Sequence, residues 1–177
     1  MSVGKQPEVV LRAIEPEDLD NLYQLENDRQ LWNVGATNVP YSRYALRDYL
    51  IHCTSDIYAD RQVRLMIDNA EGLSVGIADL MNFDPRHLRA EVGIVVKQPF
   101  RRMGYGRAAL ESLSDYASSL LHLHQLYAVV AADNEPSLHL FAKAGFCSGG
   151  QLREWLFDGC EYRDACLLQK FLGKNSL

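Results

Sequence analysis

The stretch "RAEVGIVVKQPFRRMGYGRAAL", Arg89 to Leu110, decides how the rest of the chain is read. Its first half is an apolar, β-branched run that reads as a strand, stopped at Pro99. Its second half opens a long helical pattern. Between them stand Arg101, Arg102 and Arg107 and two glycines one residue apart, Gly104 and Gly106. Glycine lets backbone approach a ligand closely and adopt positive φ. The first N–H groups of the following helix lack intrahelical partners, and the helix dipole favours negative charge there. Such a loop suits a phosphate or diphosphate.

Three readings of the loop compete on local grounds. It can be a tight turn into a helix. It can be a dinucleotide fingerprint, since Gly104-x-Gly106-x-x-Ala109 fits G-x-G-x-x-A. That pattern puts its first glycine directly after the strand, whereas "KQPFRRM" intervenes here, and a β-rich region precedes it. No Gly-Lys-Ser/Thr follows, so a P-loop is excluded. The third reading rests on a resemblance that a second block, further along the chain, also carries.

Outward from the loop the pattern is regular. "EVVLRAI" reads as a strand. Pro16 opens the helical run "PEDLDNLYQLENDR", and "SRYALRDYLIHC" reads as a second helix with Ser42 as N-cap. "QVRLMID" and "LSVGIADLMNF" read as strands joined by a turn at Asn69–Gly72. "GYGRAALESLSDYASSLL" is the longest helix, "QLYAVVA" a strand, and "EPSLHLFAKAG" a short helix with Gly145 past its end. "QLREWLFDGCEYRDACLLQKFL" reads as a hairpin turning at Asp158–Gly159. The expectation is a single α/β domain over residues 1–177, with a mixed sheet flanked by helices.

Composition narrows the function. Of 177 residues, 47% are apolar and 23% charged, and the net charge is -5. An acidic body argues against nonspecific nucleic-acid binding, and its local basic cluster argues for a small anionic ligand. The four cysteines form no C-x-x-C pair and are too sparse for a disulfide framework. "MSVGKQPEVV" lacks the apolar core of a signal peptide, and no apolar run approaches a membrane span. A cytoplasmic location without membrane contact is therefore expected. His122 and His124, two apart, point to different sides and are assigned no metal.

Two blocks together carry a resemblance. R-x-x-G-x-G after a strand, within Arg89–Leu110, resembles the coenzyme signature of the GNAT superfamily of N-acetyltransferases. "DNEPSLHLFAKAGF", Asp133 to Phe146, is similar to that family's N-x-x-(S/A)-x-x-(L/I)-(Y/F)-x-K-x-GF block. "LRAIEPEDLDNLYQLEND" resembles the opening of the spermidine and ribosomal-protein acetyltransferase branch. The resemblance covers most of the chain. It implies a mostly antiparallel sheet of about seven strands flanked by about four helices, and acetyl-CoA as the donor. It also implies a small-molecule or peptide amine as acceptor, attacked directly in a ternary complex.

Residue by residue, the resemblance gives the peptide groups of Ile94, Val95 and Val96 to the pantetheine arm as to an added strand. It gives the backbone from Arg101 through Arg102, Met103, Gly104, Tyr105 and Gly106 to Arg107 to the diphosphate. Asn134 would meet the pantetheine, or else cap its helix. Lys143 would lie near the phosphates, or else carry a solvated charge. An amine of pKa near ~10 must lose a proton before it can attack. Glu91 is the candidate base, with an ion pair to Arg89 or Arg86 as the competing reading. Many members place a proton-donating tyrosine where this chain has Phe141. The thiolate would then leave unassisted, or Ser137 or a water would supply the proton. Phe141 also motivates an alternative, an acyl-CoA-binding regulatory module with little transfer activity.

The acceptor is the least specified part. The branch carries an acid-rich segment between its first two helices. "NVGATNVPYSRYALRDYL" here has one acid, Asp48, beside Arg43 and Arg47, which argues against spermidine. Trp32, Tyr41, Tyr44, Tyr49 and Trp155 can line a pocket, though core packing is the default for aromatics. The edges of the C-terminal hairpin make a homodimer possible.

Overall fold

The computed structural model describes residues 6–28, 40–54 and 56–173. The strands are β1 (Val9–Ala13), β2 (Val63–Asn69), β3 (Ser74–Asp84), β4 (Arg89–Val96), β5 (Gln125–Ala131), β6 (Cys147–Phe157) and β7 (Tyr162–Phe171). The α-helices are α1 (Leu19–Glu26), α2 (Arg43–His52), α3 (Ile57–Asp60), α4 (Tyr105–Ser119) and α5 (Glu135–Lys143). Short 3-10 turns sit at Pro16–Asp18 and Gln98–Phe100. The seven strands form one sheet in the order β1-β2-β3-β4-β5-β7-β6. Every neighbouring pair is antiparallel except β4–β5. The expected α/β sheet is thus present. The described helices exceed the expected four by the single-turn α3.

Alternation along each strand creates two cores. Val92 and Ala90 of β4, Leu80 and Ala78 of β3, and Leu126, Ala128 and Val130 of β5 face one side, under Leu110, Leu113 and Ala117 of α4 and Phe141 of α5. Met66, Ile77 and Val95 face the other side, under Leu22 and Leu25 of α1 and Leu46 of α2.

Local chemistry sets the boundaries. Ser42 Oγ accepts the Ala45 N–H at 3.0 Å and starts α2, and Asp56 starts α3 by accepting from Tyr58 N–H. The α1 entry is held by ion pairs. Arg12 on β1 donates to both oxygens of Asp18, at 2.7 and 2.9 Å, and to Asp68 on β2 at 2.5 Å. The Arg12 hydrogen bond holds the Asp18 carboxyl below the usual aspartate range. Gly76 is demanded by close approach, because a Cβ there would lie 2.2 Å from the Val95 carbonyl oxygen.

Candidate active site

The parallel β4–β5 contact is short. Arg89, Ala90 and Glu91 pair with Gln125, Leu126 and Tyr127, and there the ladder ends. Beyond that rung β4 runs on to Val96 paired with β3 alone, and β5 runs on to Ala131 paired with β7 alone. The strands splay into a cleft. Lys97 N–H donates to Val75 C=O at 2.9 Å. By antiparallel alternation the peptide groups of Val95 also turn to β3, while those of Ile94 and Val96 turn to the cleft. Val96 C=O already accepts from Arg101 Nε at 2.9 Å. Val95 contributes its side chain to the core under α1 and α2.

The glycine loop sits at the cleft mouth. Gly104, at φ 92, is the N-cap of α4, and among the described residues no side chain caps that helix. A Cβ on Gly104 would lie 2.9 Å from Pro7. Arg102 also takes a positive φ of 61. Gly106 is small for a packing reason, since a Cβ would press on Leu140 of α5 at 3.1 Å and come within 3.7 Å of Val96. Arg101, Arg102, Met103 and Arg107 are exposed, and Tyr105 is half-buried edge-on to Phe100. Arg107 pairs with Glu111 at 2.8 Å. A groove of about 670 Å³ runs between Arg102 and the start of α5, past Glu135, Pro136, Leu138 and His139. An uncapped helix start, closely packed glycines and outward peptide groups fit a diphosphate with an extended amide arm.

The α5 residues divide. Asn134 caps its helix through Oδ1, which accepts from Ser137 N–H at 3.2 Å. Lys143 is exposed in the last turn. Phe141 is 4% exposed and stands edge-on to Phe146 with centroids 5.0 Å apart. His139 is exposed in the groove.

Glu91 stands on the last paired rung, half-buried, opposite Tyr127. Arg89 pairs with Asp84 at 3.3 Å instead. The Glu91 partner is Asn82, whose Nδ2 donates to Oε2 at 2.8 Å. A bulge between Met81 and Asp84 and a φ of 49 at Asn82 aim that amide. Burial, with the Glu91 charge second, raises the Tyr127 phenol above its ordinary range.

A second polar group on the Glu91 face went unread in the sequence. Arg64 on β2 donates to both oxygens of Asp79 on β3, at 2.7 and 3.0 Å, and pairs with Glu26 on α1. Tyr49 of α2 lies against this group, and burial raises its phenol. Asp79 registers beside Gly93, where the missing side chain makes room for Met81 Cε and the Asp79 carboxylate, 3.0 and 3.6 Å from where a Cβ would stand. Tyr41 is half-buried on this side, whereas Tyr44 and Trp155 are 81% and 59% exposed and line nothing here. Trp32 and most of the acid-poor segment before Tyr41 lie outside the described residues. Among the described residues no cluster of His, Cys, Asp or Glu is placed to hold a metal, and no helix is long and apolar enough to cross a membrane.

The model of the acetyltransferase (GNAT) domain matches residues 8–147. The chain belongs to the GNAT acetyltransferase family. It is 29% identical over 168 residues to the spermidine N(1)-acetyltransferase of Escherichia coli strain K12, covering 91% of this chain and 86% of that one. The crystal structure of Vibrio cholerae spermidine N-acetyltransferase in complex with CoA and spermine superposes at a TM-score of 0.84. It is 26% identical, over 93% of this chain and 95% of that one. A dodecameric structure of the Vibrio cholerae enzyme in an intermediate state gives a TM-score of 0.78 at 27% identity, over 93% and 94% of the two chains. This GNAT protein is an acetyl-CoA-dependent N-acetyltransferase that moves the acetyl group to an amine.

Proposed function

We propose that this GNAT enzyme acetylates a small aliphatic di- or polyamine, with Glu91 as the base that frees the attacking nitrogen. The observation that carries the reading is the grouping of carboxylates on one sheet face. Glu91 stands at the end of the β4–β5 ladder, and Asp79 and Glu26 share Arg64 beside Gly93. Two carboxylates on one guanidinium leave a net negative charge, and Glu91 adds a second. A molecule with two ammonium groups is attracted to both. The likeness to spermidine acetyltransferases supports the same class. The acid-poor stretch 33–50 counts against a polycation held by that stretch, not against one held by the sheet face.

In this reading acetyl-CoA lies in the splay. Ile94 and Val96 meet its amide arm, and the backbone from Arg101 to Arg107 meets its diphosphate. Arg101 leaves Val96 C=O as the arm arrives. Asn134 has its Nδ2 available to the arm, and Lys143 adds positive charge along α5. Val95 and Phe141 support the cleft from the two cores. The whole chain acts as one domain.

A homo-oligomer, with the dimer as its smallest form, is part of the proposal. β6 is exposed along nearly its whole length, and Trp155, Phe157 and Tyr162 are 59%, 60% and 65% exposed. The test of the acceptor is a panel of putrescine, spermidine, spermine, free amino acids and short peptides with acetyl-CoA, read as acetylated product by mass. Polyamine turnover at least tenfold above the peptides is expected. Preferred acetylation of a peptide N-terminus would overturn the acceptor class.

A further inference from the structure

The thiolate that leaves after acetyl transfer needs a proton, and Phe141 has none to give. Phe141 also lies in the core beneath α4, on the sheet face opposite Glu91. The last β4–β5 rung presents a different hydroxyl. Residues directly opposed across two strands share a face, so the Tyr127 and Glu91 side chains rise together where the strands part. The Glu91 carboxylate is near enough for its charge to help raise the Tyr127 phenol. The ring is half-buried. Its other charged neighbours are Arg89 on β4 and Asp84 at the end of β3, and β7 opposes it with uncharged Gln169.

Resting on the acetyl-CoA placement above, we infer that Tyr127 donates the proton to the departing sulfur and recovers it from Glu91. The ammonium gives one proton to Glu91, which frees the nitrogen lone pair, and the nitrogen sheds a second proton to water once the C–N bond has formed. The nitrogen lone pair forms the C–N bond at the thioester carbon, and the C–S pair leaves on sulfur. The Tyr127 O–H proton passes to that sulfur and gives the CoA thiol. The tyrosinate oxygen then takes the proton held on Glu91, and both groups return to their starting states. The raised Tyr127 phenol remains protonated at neutral pH.

The test needs no acceptor. CoA carries a thiol of pKa near ~8.5, whereas acetyl-CoA has no ionisable sulfur. A donor aimed at sulfur favours the thiolate, so CoA binding strengthens relative to acetyl-CoA as pH rises from 7 to 9. Calorimetry on the native protein and on Tyr127→Phe reads the ratio of the two dissociation constants. The expected result is a gain of about tenfold for the native protein and under about twofold for Tyr127→Phe, with acetyl-CoA affinity alike in both. That unchanged affinity also shows that the variant is folded. The same pH dependence in both proteins would overturn the assignment to Tyr127 alone. No binding of acetyl-CoA by the native protein would overturn the coenzyme placement and this inference together.

Discussion

At the scale of single residues, position along one strand decides role. Glu91 is one residue away from facing the core, where Ala90 and Val92 are buried. Its place on the last parallel rung frees it for chemistry, and the Asn82 amide orients one oxygen. Glu91→Gln keeps the shape and removes the proposed base. Its kcat is expected to fall by about 10²–10⁴, with acetyl-CoA affinity unchanged in a titration. Gly104 is constrained by both its φ and its neighbour Pro7. Gly104→Ala is expected to weaken acetyl-CoA binding by about tenfold and to lower stability by about 1 kcal/mol, read by calorimetry and thermal unfolding. The glycine loop was legible because its signal is local, a few consecutive residues with one geometric demand. The Arg64–Asp79–Glu26 group was not. Its members lie 15 and 38 residues from Arg64, and strand register brings in Asp79 while the packing of α1 on the sheet brings in Glu26. Asn82 was hidden for a similar reason, since a bulge is set by pairing with β4 rather than by its own neighbours.

At the scale of elements, caps and alternation carried the reading. Ser42 starts α2, Gly145 at φ 88 follows α5, and Asp158–Gly159 turns the last hairpin, all as the sequence expects. The helical run opened by Pro16 begins as a 3-10 turn before α1. One-turn α3 escaped because four residues show no period. The Arg12–Asp18 pair joins β1 to the start of α1 and has a predictable pH signature. Asp18 is 4% exposed and its carboxyl is depressed by the Arg12 hydrogen bond. A depressed acid stabilises the fold fully above its unfolded value, near ~3.9, and loses that contribution as pH falls through its folded value. Asp18→Asn is therefore expected to cost about 2 kcal/mol at pH 7. Urea unfolding at pH 7 and pH 3 should show that difference narrowing at the lower pH.

At the scale of the molecule, surface composition bears on assembly. Strand β6 carries aromatics outward beside a free sheet edge, the kind of surface that self-associates when left open. Trp155→Asp is expected to convert an oligomer to monomers at micromolar concentration, measured by light scattering. An unchanged mass would remove β6 from the interface.

The brevity of the β4–β5 ladder reaches beyond catalysis. Among the described residues, three rungs are the only strand pairing between the β1–β4 half and the β5–β7 half. Between Val92 and Val96 that sheet is open on one side, so amide protons there should exchange with solvent faster than those of β2 or β3. Acetyl-CoA lying along β4 would close the gap, and hydrogen exchange at Ile94 and Val96 should slow when it is added. The donor would then complete the architecture as well as react within it, and a cell starved of the thioester would hold a looser protein than one well supplied.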